Sequence, residues 1–100
     1  MRVEFLYFKS CPSHKRALDN LKAALRELHA EADLVLINVD SEQKAQEVAF
    51  QGSPSIRVNG KDLEGSKERP NFSCRLYFVN GKPTTAPSKE FIMERLATGK

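Results

Sequence analysis

An apolar run that stops at a cysteine–proline pair sets the terms for this chain. Residues 3–8 read VEFLYF, short, apolar and aromatic, the pattern of a buried strand. After Lys9 and Ser10 come Cys11 and Pro12, and from Pro12 to about Ala30 the pattern turns helical. Leu18, Leu21, Leu25 and Leu28 recur at helical spacing, while Lys15, Lys22 and Arg26 fall off that stripe. Proline suits the first helical position, where its missing N–H would have had no partner. Any fold of this chain has to carry a strand into a helix through a cysteine.

The alternation continues. Leu34 to Val39 (LVLINV) predicts a second buried strand, and Asp40 or Ser41 can cap the next helix. Glu42 to Phe50 predicts that helix, a short one with Ala45, Val48 and Ala49 on one side. FQGSPSIRV turns into a third strand, and Asn59-Gly60 is a hairpin signal that returns the chain as KDLE. Residues 66 to 87 hold either a further strand, Arg75 to Val79, or a functional loop, because a structureless segment of that length is uncommon in a compact domain. The tetrapeptide VNGK occurs at 58–61 and 79–82, turn chemistry both times, with no wider repeat. Ser88 to Ala97, with Phe91, Ile92 and Leu96, predicts a closing helix that stops at Gly99. The order β-α-β-α-β-β-α gives a small α/β sandwich, with two parallel strands crossed by a helix and then a hairpin.

Composition narrows the function classes. A chain of 100 residues makes one domain, 1–100, with room for a single core. The net charge of +3 is mild, and its Lys and Arg are scattered rather than striped, so no nucleic-acid partner is expected. No apolar run approaches the roughly 20 residues that span a bilayer, so no membrane partner is expected either. MRVEFLYF has neither the apolar region nor the cleavage site of a signal peptide, which makes a cytoplasmic location the expectation. There, two cysteines far apart in sequence read as reactive thiols, metal ligands or core residues before they read as a structural staple.

Cys11 has the strongest claim to chemistry. With the helix starting at Pro12, Cys11 is the N-cap, close to free N–H groups that favour a thiolate. Lys9 and Lys15 add positive charge nearby. His14 shares the stripe of Leu18, Leu21 and Leu25, so it should point inward beneath Cys11, able to donate to a thiolate or take its proton. The plainer reading is that Cys11 merely ends a strand and His14 fills a helix surface. Cys-x-x-His also fits one helix turn around a soft or borderline metal (zinc, copper or mercury), with Cys74 as a third ligand.

"FKSCPSH" resembles the active-site turn of thioredoxins and glutaredoxins, a C-x-x-C after the first strand, with the second cysteine replaced by His14. "INVDSEQKAQEVAFQGSPSIRVNGK" is similar to their second strand, second helix and proline-ended turn. The resemblance implies a thioredoxin-like three-layer sandwich, a mixed four-stranded sheet flanked by helices, and a thiol–disulfide oxidoreductase. It implies a cis bond before Pro54, with Pro54 facing Cys11 and the backbone of Ser53 offered to an extended thiol substrate. Lys9, Pro12, Ser13, Ser53 and Pro54 are then the substrate-facing residues, and Cys11, His14 and Cys74 the catalytic set. The substrate would be a disulfide-bearing protein or a small thiol, with glutathione as co-substrate and no other cofactor.

Two departures shape that expectation. Where glutaredoxins carry Gly-Gly and an acidic residue, this chain reads Leu63-Glu64-Gly65-Ser66-Lys67, although Lys9 stands where a glutathione-contacting lysine would. Without a second cysteine in the motif, the Cys11 thiolate attacks a disulfide and either Cys74 or an external thiol resolves the adduct. If Lys61 to Glu64 returns from the hairpin toward the active site, Cys74 can reach Cys11. If Arg75 to Val79 pairs with the third strand instead, Cys74 is a buried packing residue. Arg69, Arg75 and His29 read as surface residues, and Tyr7, Phe8, Tyr77 and Phe78 as core. Two other functions stay open: a soft-metal protein using Cys11 and His14, and a redox-inactive thioredoxin-like adaptor that binds partners through the proline-loop groove.

Overall fold

The computed structural model of the protein describes residues 1–65 and 70–98. In chain order the elements are β1 (Arg2–Tyr7), α1 (His14–Glu27), β2 (Asp33–Asn38), α2 (Glu42–Glu47), β3 (Gln51–Ser53) and β4 (Ser55–Val58). β5 (Lys61–Asp62), β6 (Asn71–Cys74), β7 (Tyr77–Val79), β8 (Lys82–Thr84) and α3 (Lys89–Thr98) complete the chain. The main sheet is mixed, in the order β2-β1-β4-β5, with β1 parallel to β2 and antiparallel to β4. The described residues thus form a small α/β domain of three helices on a mixed four-stranded sheet.

The central strand explains the apolar run. Alternate side chains of a strand face opposite ways, so β1 needs apolar residues on both faces. Val3 and Phe5 join Ala17, Leu21, Ala24 and Leu25 of α1, Ile56 of β4, and Ile92 and Leu96 of α3. Leu6 points the other way, to Val39, Ala45 and Phe50 beside α2. Outside this sheet, β3 and β6 form a parallel two-stranded ribbon and β7 and β8 a hairpin.

Several boundaries differ from the sequence reading, each for a physical reason. α1 begins at His14, not Pro12, and its buried stripe runs through Ala17 and Ala24, leaving Leu28 at the exposed C-cap. β2 lies at the sheet edge, so it is only half-buried and Leu36 is exposed. α2 stops at Glu47, two residues before Ala49 takes a left-handed φ of 53°. Ser41, not Asp40, caps it, accepting the Lys44 N–H at 3.1 Å. The described residues of region 66–87, 70–87, carry three short strands instead of one, and Tyr77–Val79 pairs with β8 rather than with the third strand. Both Asn-Gly pairs turn as two-residue hairpins require, with positive φ at Asn59, Gly60, Asn80 and Gly81. Ser88 starts α3 by accepting the Phe91 N–H at 3.1 Å. The expected stop at Gly99 and the reading of Arg69 lie outside the described residues. Among the described residues, no helix is long and apolar enough to cross a membrane.

Candidate functional site: two thiols over the end of the sheet

Three segments meet beyond the end of β1. The first is the turn after the strand, in which the Cys11 N–H donates to the Phe8 carbonyl at 3.1 Å and folds the cysteine back over the sheet. Cys11 is fully buried there. The second is the Gln51–Ser55 segment, where the Ser53–Pro54 peptide bond is cis. The Cys11 thiol lies 3.6 Å from the Ser53 carbonyl, and the Phe8 N–H donates to the Ser53 hydroxyl at 3.3 Å. The third is β6, whose parallel register sets Cys74 opposite Ser53. That register brings the Cys74 sulfur to 3.8 Å from the Cys11 sulfur. Both cysteines are free thiols, Cys11 buried and Cys74 exposed.

Arg75 fastens the third segment to the second. Its main-chain N–H donates to the Ser53 carbonyl at 2.9 Å. Its guanidinium forks onto Asp62 at 2.6 and 2.8 Å and reaches Glu64 at 3.2 Å. Such a planar fork matches a carboxylate with two parallel bonds. The same guanidinium lies 4.7 Å from the centre of the Tyr77 ring, and the Tyr77 hydroxyl donates to the Pro54 carbonyl at 2.6 Å. Gly52 completes the fit: its φ is +103°, and a Cβ there would sit 2.9 Å from the Arg75 Cβ.

The electrostatics follow the packing. Burial works against the Arg75 charge, but the Asp62 hydrogen bond and the charges of Tyr77, Asp62 and Glu64 outweigh it and hold the guanidinium above its usual range. Burial pushes the Tyr77 phenol up, against the opposing pull of Arg75. Burial also raises the Cys74 thiol, helped by its hydrogen bond to Cys11 and by charge on Cys11.

The other predicted residues divide. Ser53 and Pro54 are buried beside Cys11, but the Ser53 carbonyl already accepts from Arg75. Lys9 and Pro12 are exposed. Cys11 is not the N-cap of α1; that place falls to Ser13, because Pro12 and Ser13 form a turn closed by the His14 N–H on the Cys11 carbonyl at 3.4 Å. The Ser13 hydroxyl leaves the helix end uncapped and bonds to the Thr85 hydroxyl instead. His14 stacks on Tyr7 with ring centres 5.0 Å apart, and its Nδ1 lies 2.8 Å from the Cys11 carbonyl. A carbonyl only accepts, so the Nδ1 carries the hydrogen and the ring braces the turn through the main chain. Cys74 is not the buried packing residue of the second placement, because β6 pairs with β3 and leaves it exposed. Phe78, read as core, is 62 % exposed on the β7–β8 hairpin. Among the described residues, no group of three or more His, Cys, Asp or Glu side chains is placed to hold a metal ion.

Sequence reasoning missed the Arg75 fastening. The sequence pattern does not single out Asp62 or Gly52, and by it Arg75 reads as a surface residue. A lone arginine inside SCRLYFV is the one local signal, and nothing in the chain connects it to Asp62. Comparison with protein-family models, curated proteins and solved structures finds no match. The chemistry therefore rests on the geometry: two free thiols in contact, one reachable from solvent, over a braced turn.

Proposed function

We propose that this chain is a thioredoxin-like thiol–disulfide oxidoreductase whose redox unit is the pair Cys11 and Cys74. The observation that carries the reading is their 3.8 Å approach across two segments that are distant in sequence. A thiol pair so placed can cycle between dithiol and disulfide by exchange with an external disulfide. The burial of Ser53 beside Cys11 and the arrangement of three helices on a mixed sheet support a thioredoxin-like assignment. Cys74 takes the place of the motif cysteine that His14 displaces, and His14 braces the turn. Substrates would be disulfides of proteins or of small thiols, glutathione among them.

The test is catalysis of protein-disulfide reduction with dithiothreitol as electron donor. The wild type should accelerate the reaction, and Cys11→Ser and Cys74→Ser should each abolish the acceleration. Full activity in Cys11→Ser would overturn the proposal.

A further inference from the structure

Exchange at a cysteine pair has a direction, because one sulfur meets the outside partner and the other closes behind it. The two cysteines differ in reach. Cys11 has no exposed surface, and its sulfur lies 3.6 Å from the Ser53 carbonyl and 3.8 Å from the Cys74 sulfur. Cys74, in β6, is exposed. Displacement at sulfur is in line, so a thiolate attacking Cys11 of a Cys11–Cys74 disulfide must approach from the side away from Cys74. For Cys11 that side is filled by protein. Cys74 is the exposed member of the pair, so an external thiolate can reach it. Lifting β6 would uncover Cys11, but Arg75, whose side chain is only 8 % exposed, holds that strand to Ser53, Asp62 and Glu64.

We infer that Cys74, not Cys11, is the sulfur through which this chain exchanges with external thiols, with Cys11 as the buried partner that closes and releases. The inference rests on the oxidoreductase reading and reverses the order expected from the motif. In the reducing step, an external thiolate attacks the Cys74 sulfur of the internal disulfide. A bond forms between that thiol and Cys74, the Cys11–Cys74 bond breaks, and the electron pair leaves on Cys11 as a thiolate. A second external thiolate then attacks the outer sulfur of the mixed disulfide and releases the Cys74 thiolate. The pair has gained two electrons, and two external thiols have become one disulfide. By microscopic reversibility, oxidation by an external disulfide passes through the same mixed disulfide on Cys74.

Glutathione disulfide is the probe, with intact-mass and peptide mapping of native Cys11→Ser and Cys74→Ser proteins. Cys11→Ser should collect one glutathione on Cys74. Native Cys74→Ser should stay unmodified over the same time and react only after denaturant is added, which also shows that it was folded. A Cys74→Ser, Arg75→Ala double variant should recover reaction at Cys11 without denaturant. An adduct on Cys11 of native Cys74→Ser as fast as that on Cys74, or no adduct on Cys74 of Cys11→Ser, overturns the inference. Wild type in a mixture of reduced and oxidised glutathione separates the two levels. Failure to form the internal disulfide defeats the oxidoreductase reading, whereas an internal disulfide with adducts on Cys11 defeats only the order of attack.

Discussion

The main sheet and the segment from β6 to β8 are held by different forces. The sheet is clamped between two apolar clusters, one under α1 and α3 and one beside α2. The β6–β8 segment keeps Phe72, Leu76 and Phe78 exposed; it is fastened by polar bonds of Arg75 and Tyr77 and by a few ring contacts, Phe72 on Phe8 and Tyr77 on Phe91. Burial of apolar area is distributed and tolerant, while a buried ion pair is concentrated in a few atoms and fails when one of them is removed. Cys11 is buried in the turn at the end of the sheet, and Cys74 lies in the second region. Their contact therefore depends on both kinds of force.

Substitutions should separate the regions. The largest effect is expected from Phe5→Ala, which opens a cavity under the central strand and should cost about 4 kcal/mol of global stability in chemical denaturation. Cysteine reactivity should then change only as far as the whole domain unfolds. Arg75→Ala should cost about 3 kcal/mol by removing the buried charge partner of the Asp62 carboxylate. It should also make Cys11 open to alkylation under conditions where the sheet remains folded. If both cysteines of that variant react only on global unfolding, the two regions are one cooperative unit and the comparison fails. Gly52→Ala should cost about 2 kcal/mol, from a side chain at positive φ and the close approach to Arg75. Its effect on Cys11 should resemble that of Arg75→Ala, measured by the same alkylation.

The smallest expected effect is in pH dependence. Because the Cys74 thiol is raised above its ordinary value of 9.0, less of it is ionised at any given pH. Alkylation of Cys74 should therefore be slow near neutrality and keep rising above pH 9. Burial, the first of the causes, survives in Cys11→Ser, but the hydrogen bond to Cys11 and its charge are lost. The rise should then move to lower pH. A pH profile unchanged by Cys11→Ser would deny that the sulfurs are in contact.

The legibility of the sequence divides along the same line. VEFLYF, the stripe through Leu21 and Leu25 and the two Asn-Gly turns report local period and turn chemistry; they point to β1, α1 and the first hairpin, while the second Asn-Gly marks a turn without showing its returning strand β8. Leu36 misled because a strand at a sheet edge and a strand inside it carry the same residues. The helix start misled because Pro12 is equally at home in a turn before a helix and in the first helical position. At the site, Cys11 and Pro54 stood out by motif, while the side of the molecule on which Cys74 falls could not be chosen. That choice is made by Arg75 meeting Asp62, a long-range polar contact with no periodic trace. Arg75 looked like a surface residue because arginine commonly is one; its burial is visible only once its carboxylate partners are in place.

The most direct test of the central claim is intact mass with thiol counting, after wild-type protein is equilibrated in glutathione redox buffers. The account predicts a monomer lighter by two hydrogens, with Cys11 and Cys74 both blocked and joined in one peptide-mapped disulfide. A protein that keeps both thiols titratable across the full range of buffers would contradict it.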